Sequence, residues 1–367
     1  MLTPGTAEEL ARALAEASAS KKSIALFGNS SKERMGGPVM AADVTISTSQ
    51  LNRLLKYEPR DLTVSVEAGM RFRDLNAILA EHQQMIPLDP VFYENATVGG
   101  VVAANSSGPR RRLYGTVRDL VIGMTFATLE GKLVRAGGMV VKNVAGLDMG
   151  KLMIGSFGTL AAIAVVNFRL HPMPPATRTF VHEFEQPAEA LASRDAVLKS
   201  QLRPCAIDLI KSGGRYKLLI QAGATPAVLD RYARELPSYR VLDSGEEQAA
   251  WTEIREFVPR FLSTHENGAI LRVSCPLSEI GRVLEAMPSD AVARAGTGIC
   301  YGGYPDARAI KRGDRLRRGV IEFAPQTIRE STELWPEPGS DFEIMKKVKD
   351  MFDPSGILNR GRMYGRI

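Results

Sequence analysis

Three prolines within the five residues His171-Pro-Met-Pro-Pro175 impose the strongest single constraint on how this chain folds. Proline fixes φ, lacks a backbone donor and clashes with a preceding helical turn, so neither a helix nor a central strand runs through such a stretch. The break divides the chain into a first domain over 1–172 and a second from 176. A length of 367 residues also exceeds what one core ordinarily organises, which makes two domains the expectation. The polar, proline-bearing segment 327–340 reads as an exposed connection. It closes the second domain at 176–340 and leaves 341–367 as a C-terminal segment.

Short strands and short helices alternate before the break. Thr6-Ala7-Glu8-Glu9 forms a capping box, and Leu10, Leu14 and Ala17 follow at helical spacing. This is a domain-starting helix and lacks the basic-then-apolar order of a signal peptide. Residues 23–27 read as a buried strand. Leu51, Leu54 and Leu55 share a helical face and predict a short helix over 49–56. Leu62, Val64 and Val66 alternate with polar residues and predict a strand. A helix is expected over 71–82, a hairpin around Glu130-Gly131, and a long strand or strand pair over 160–170. After the break, the order strand (179–184), helix (188–202), strands (205–210 and 216–221), helix (226–236), strand (240–242) is β-α-β-β-α-β, the ferredoxin-like motif. A less regular stretch runs over 245–322, without an evident repeat. The tail predicts a helix from Asp341 that stops at Asp353-Pro354-Ser355-Gly356, then extended chain to Asn359. The fold class is α+β.

Hydrophobic content of 44% and charged content of 24% are globular proportions, and no apolar run approaches the roughly 18–20 residues of a membrane span. The net charge of +6 concentrates in Arg110–Arg112 and 311–318. Aromatics make up 7% and are scattered, so the stacking residues of a nucleic-acid surface are missing. An acidic protein partner, an anionic ligand or a solvated face accounts for the charge, with 311–318 the expected interface. Cys205, Cys275 and Cys300 form no C-x-x-C pair, so neither a zinc site nor an iron–sulfur cluster is expected from this chain, and the thiols suit a cytoplasmic location.

The chemistry is carried by Thr97-Val-Gly-Gly-Val-Val-Ala-Ala-Asn-Ser-Ser-Gly108. Such a run either removes side chains where an anionic ligand meets backbone or packs a small-residue helix tightly into a core. Three companions share its character: Gly28-Asn-Ser-Ser-Lys32 after a strand, Val140–Asp148, and Gly155-Ser-Phe-Gly-Thr159. Standard nucleotide and hydrolase signatures are missing. No G-x-G-x-x-G links a strand to a helix, Gly146–Lys151 is a residue short of a P-loop, and neither G-x-S-x-G nor H-E-x-x-H occurs.

Residues 27–32, 61–69, 97–108, 114–119, 140–148 and 155–163, with the closing 352–362, resemble the vanillyl-alcohol oxidase, or PCMH-type, flavoprotein family. The resemblance implies a PCMH-type two-subdomain FAD-binding domain, then a ferredoxin-like α+β cap domain, and a C-terminal tail that returns to the FAD domain. By the same resemblance, Gly28, Asn29, Ser30, Ser31 and Lys32, with Thr97, Gly99, Gly100, Asn105, Ser106 and Gly108, would hold the pyrophosphate. Gly115, Asp119, Lys142, Asn143, Val144 and Gly146 would line the adenosine and isoalloxazine regions, and Asn359 would touch the flavin. The first loop has Asn-Ser-Ser where relatives carry more glycine, which Asn tolerates in left-handed geometry. Arg360 stands where a proline is usual. Covalent flavin needs a His or Cys at these loops. His82, His171, His182 and His265 lie outside them and no Cys precedes Cys205, so non-covalent FAD is expected.

Within the family, the run KNVAGLDMGKL, the modest length and the closing Gly-Arg most resemble the FAD-binding subunits of glycolate oxidase complexes. This implies oxidation of glycolate, a 2-hydroxy acid, to glyoxylate beside a sister FAD-dependent subunit and an iron–sulfur subunit, in the cytoplasm or peripheral at the inner membrane. Related dehydrogenases carry H-x-G-D-G-N-x-H in the second domain. Here Ala295–Tyr301 has no histidine, which leaves the catalytic residues unassigned, with Arg272 and Tyr301 as candidates to face the flavin. Three readings stand at this point. The chain is a subunit that depends on its complex, a self-sufficient dehydrogenase of a small hydroxy acid or alcohol, or a structural subunit with a vestigial flavin site.

Overall fold

The computed structural model describes residues 1–38, 40–139, 148–365 and 367. Thr6 caps the helix Ala7–Ala19 by accepting from Glu9 N–H at 3.1 Å, and Leu10 and Leu14 are fully buried on its inner face. That face shares a core with Ile24 and Ile46 of two parallel strands, Ile24–Phe27 and Val44–Ser47.

A five-stranded antiparallel sheet follows, in the order Leu54–Glu58, Thr63–Glu67, Ala162–Arg169, Val121–Ala127, Leu133–Gly137. The helix expected over 49–56 does not form; the segment enters this sheet as an edge strand. Pro59–Asp61 makes one tight turn, Leu62 adopts φ +52, and the chain doubles back. Arg53 then gives its N–H to the buried Glu67 carboxylate at 2.8 Å, and cross-strand pairing outweighs the local leucine spacing.

The second sheet has eight strands, in the order Arg240–Val241, Ala176–Phe184, Arg215–Ala224, Ala206–Ser212, Ala291–Arg294, Ile299–Tyr304, Ala269–Ser274, Val320–Phe323. Its first four are the expected ferredoxin-like unit, with helices Pro187–Lys199 and Pro226–Glu235 on one face. The other four repeat that wiring. Strand Ala269–Ser274, helix Ile280–Ala286, strands Ala291–Arg294 and Ile299–Tyr304, and strand Val320–Phe323 trace the same order, with irregular chain in place of the second helix. The units join where Leu209–Lys211 pairs antiparallel with Ala291–Ala293. The repeat is therefore structural and invisible at the level of residues.

Segment 327–340 departs from its reading as an exposed connection. Gln326–Ser331 is a helix, Leu334 is buried, and the guanidinium of Arg329, 5% exposed, donates to the carbonyls of Glu33 and Gly37. The tail folds as expected: helix Phe342–Phe352, then a bridge from Leu358 to Ile24. A buried ion pair sets its course. Lys349 Nζ lies 2.7 Å from Asp353 Oδ2 and also donates to the carbonyls of Thr159 and Leu358. The Asp353 carboxylate in turn accepts from the N–H groups of Ile357 and Leu358.

Removing one member of a buried pair strands the other charge, at about 3–5 kcal/mol. Asp353→Ala is therefore expected to lower unfolding free energy by about that amount in urea titration. Lys349→Met combined with Asp353→Ala should cost less than the two single substitutions summed.

Candidate functional site

A cleft of about 1250 Å³, its open mouth included, runs between the parallel strand pair, the helix Val98–Ala103, the turn at Phe157-Gly158 and the tail. Its wall over Gly28–Lys32 follows directly from strand Ile24–Phe27, with Ser30 at φ +51. Among the described residues, none accepts a hydrogen bond from the backbone N–H groups of residues 28–32. Five successive donors without protein acceptors form a nest suited to an anion. Gly28 is required there: a Cβ on it would stand 2.3 Å from Thr97 Oγ1, the atom that caps the facing helix through Gly100 N–H.

The small-residue run resolves into two halves. Val98 and Gly99 give their N–H groups to the carbonyls of Met70 and Ala68, and a Cβ on Gly99 would meet Ala68 Cβ at 2.8 Å. That side is tight packing. Gly99 also borders the cleft, and the side carrying Gly100, Ala103 and Ala104 lines it with side chains too small to fill it.

Positive charge enters the cleft from two elements. Lys32 has a partly exposed stem and a buried Nζ without a hydrogen-bond partner. Burial pulls its pKa down to about 8, opposed by Glu256. Arg362 comes from the tail, and its guanidinium lies 5.9 Å from the Phe157 ring centre and 3.2 Å from the carbonyl of Gly37. Burial, then the neighbouring Arg329, lowers its pKa to about 10, with Glu33 opposing. Both cations border a space without an ion-pair partner for either among the described residues, as expected of a site shaped for a multiply charged anion.

The tail completes the wall through Asn359, which takes φ +45. Its Oδ1 accepts from Leu26 N–H at 2.7 Å, while Nδ2 donates to the carbonyls of Leu26 and Phe157. The second sheet reaches the cleft through its last strand. Gly36 N–H donates to Glu322 O, Ala324 N–H donates to Arg34 O, and the Arg34 guanidinium bonds the carbonyl of Gly268 at 2.5 Å. Behind this seam lies a charged cluster of the eight-stranded sheet, joined by Arg111. Arg272 holds Glu322 at 2.8 Å, Arg294 pairs with Asp208, and the Arg294 guanidinium lies 5.5 Å from the Tyr301 ring centre. Burial raises the Tyr301 hydroxyl and the Glu322 carboxyl, the latter against the pull of Arg272. Burial lowers Arg111, the member contributed by the short helix Arg111–Tyr114, which the Tyr301 oxygen offsets and Arg272 and Arg294 reinforce.

Of the residues singled out in sequence, Gly28, Asn29, Ser30, Ser31, Lys32, Thr97, Gly99, Gly100 and Asn359 line the cleft. Asn105, Ser106, Gly108, Gly115 and Asp119 are outside its lining. Gly108 N–H donates to Leu88 O, and Asp119 closes a capping box on Thr116 N–H at 2.7 Å. Lys142, Asn143, Val144 and Gly146 fall outside the described residues. Sequence reasoning missed Thr48, Met35, Phe157 and Arg362 as lining residues. Only the last two carried a signal, from the glycine turn at 155–159 and the closing Gly-Arg.

Comparison with known proteins agrees with this geometry. Residues 1–137 match the FAD binding domain family, and residues 336–363 match the C-terminal domain of FAD linked oxidases. Glycolate oxidase subunit GlcE of Escherichia coli is 28% identical over 96% of this chain and 95% of its own. Glycolate oxidase subunit GlcD of Bacillus subtilis is 23% identical over 100% of this chain and 89% of its own. The D-2-hydroxyglutarate dehydrogenase of Xanthomonas citri is 26% identical over 93% and 68%. A solved structure of alkyldihydroxyacetonephosphate synthase superposes with a TM-score of 0.71, at 18% identity, over 97% of this chain and 76% of that one, and shares the fold. FAD is the cofactor, and its diphosphate is an anion of the kind that the free amides and Lys32 suit.

Gly28→Ala is expected to weaken FAD retention at least tenfold, read as the ratio of flavin to protein absorbance after gel filtration. In FAD-free protein Lys32 loses its charge as pH rises through about 8, so FAD affinity should fall above that pH by up to about tenfold per unit. Stability of the FAD-free chain moves oppositely, because the unfolded lysine holds its proton up to about 10.5 while the folded one releases it earlier. Flavin-fluorescence titrations across pH 7–9 test this, and Lys32→Met should flatten the profile.

Proposed function

We propose that this chain is a member of the PCMH-type FAD-linked oxidoreductases and the FAD-carrying subunit of a complex that oxidises glycolate or a close 2-hydroxy acid. The proposed partners are a sister FAD-dependent subunit that oxidises the acid and an iron–sulfur subunit that takes the electrons. The complex is cytoplasmic, and any membrane association comes through it; among the described residues no helix is long and apolar enough to cross a membrane.

One observation carries the reading: a well-formed anion cradle stands beside no histidine. Oxidising a hydroxy acid requires a base for the hydroxyl proton. His82 packs edge-on to Tyr57, His171 to Tyr114, His182 bonds Ser238 O, and His265 stacks on Phe261, each away from the cleft's lining. We assign the diphosphate of FAD to the amides of Gly28–Lys32 and to the Lys32 ammonium. Thr97, Gly99 and Gly100 keep the opposite wall close without filling it, and Asn359 holds the floor. Among the described residues neither Cys nor His borders the cleft, which supports non-covalent binding. Bound FAD supplies two-electron redox chemistry.

The charged cluster favours a second reading. Arg111, Arg272 and Arg294 outnumber Glu322 and Asp208, and a hydroxy-acid carboxylate would balance them, making the chain a self-sufficient dehydrogenase.

The visible spectrum of the purified chain separates these readings. Expected is a yellow protein whose flavin is released by acid precipitation and is not bleached by anaerobic glycolate. Bleaching should require addition of the acid-oxidising partner. Bleaching of the isolated chain would establish the second reading instead, and a colourless chain that does not take up FAD would remove both.

A further inference from the structure

A second cleft, of about 860 Å³, opens on the far unit of the eight-stranded sheet. Its wall includes Cys275, just beyond strand Ala269–Ser274, and the guanidinium-bearing residues Arg282, Arg315, Arg317 and Arg318. Two carboxylates, Glu279 and Asp314, also line it. Arg315 is engaged by Glu285 at 3.4 Å, whereas Arg282, Arg317 and Arg318 form no ion pair among the described residues. The cleft is therefore electropositive around a half-buried thiol.

That thiol has a neighbour. Cys300 pairs with Val273 across the strands, and Cys275 lies two residues farther along. Side chains two apart share a face of the sheet, so both thiols leave the same face as diagonal neighbours. The two thiols influence each other's proton affinity. The interaction acts in opposite senses on the two. It holds the Cys275 thiol below its ordinary value, against burial, and together with burial it keeps Cys300 well above its own. Cys300 is fully buried. A half-buried sulfur on an open cleft, a second thiol diagonal to it across the strands and a cationic rim are what thiol–disulfide exchange requires of a protein.

We propose that Cys275 and Cys300 are a two-thiol modification site that reacts with small acidic disulfides, the carboxylates of the disulfide being drawn by Arg282, Arg317 and Arg318. The Cys275 thiolate attacks one sulfur of the disulfide RSSR, forming a mixed disulfide on Cys275 and releasing RS⁻. Cys300 then gives its proton to solvent, and its sulfur displaces the second RS⁻ from Cys275. Two protein thiols are oxidised to one disulfide, and RSSR is reduced to two thiols. Cys205 is buried elsewhere and is untouched.

The test treats the full chain, as isolated, with glutathione disulfide and follows it by intact-mass and peptide mass spectrometry. Wild type should lose both thiols and yield a peptide cross-linked between Cys275 and Cys300. Cys300→Ser should stop with one glutathionyl group on Cys275, and Cys275→Ser should gain none. Arg317→Glu combined with Arg318→Glu should slow glutathione disulfide on the order of tenfold and leave the neutral hydroxyethyl disulfide unchanged. Circular dichroism confirms that each variant is folded. Stable glutathionylation of wild type without the cross-link would overturn the resolving role of Cys300. An unmodified Cys275 in folded Cys300→Ser would overturn the site. Equal slowing of both disulfides in the arginine variant would overturn the role of the cationic rim.

Discussion

One amide side chain carries the geometry of the cleft proposed to hold the flavin. Asn359 takes a hydrogen bond from the first strand and returns two, one to that strand and one to the Phe157 turn, so three hydrogen bonds join segments more than 200 residues apart in the chain. Without it, Leu26 would lose its bonds to the tail, and the strand that feeds Gly28–Lys32 would be held there by the backbone of Ile24 alone. The Lys349–Asp353 pair makes the arrangement possible. The aspartate gathers the N–H groups of Ile357 and Leu358, which fixes the approach of the residue that follows. Residues outside the cleft thus hold a site whose own lining is largely glycine, alanine and serine.

The second constraint is electrostatic. Lys32, Arg34, Arg329 and Arg362 converge on the loop 30–37, and their hydrogen bonds, where they form, go chiefly to carbonyl oxygens. Carbonyl dipoles stabilise a guanidinium without neutralising it. The loop therefore carries unbalanced positive charge while the cleft beside it supplies amide donors. An anionic cofactor offsets both at once, which couples cofactor binding to the seam between the two sheets.

Much of the fold was legible because the proline break and the β-α-β-β-α-β order leave marks of local chemistry. The first cleft wall was legible for the same reason: glycine after a strand, then Asn-Ser-Ser-Lys, announces a turn with free donors. What stayed hidden depended on distance. Leu51, Leu54 and Leu55 spell a helix locally, yet the carboxylate of Glu67 claims the backbone beside them. Arg329 lies in a stretch that reads as solvated, yet two carbonyls of a loop near the N-terminus bury it. Gly115 and Asp119 came from the family resemblance alone; Asp119 closes a capping box on Thr116, and Gly115 leaves room for its carboxylate. The repeat within the second sheet shows no residue signal because only hydrogen-bond order, not side-chain identity, defines it.

That repeat has a consequence for exposure. Two units wired alike and joined through their second strands must turn their fourth strands outward at opposite ends. One of these, Val320–Phe323, is occupied, since the backbone of Arg34 and Gly36 bonds along it on either side of Met35. The other, Arg240–Val241, is only two residues long, and Glu246 engages its arginine at 2.8 Å. A short, charged margin offers little template for a foreign strand. The architecture thus gives its two outer margins different duties: one anchors the segment that follows Gly28–Lys32, and the other is too short to recruit a strand.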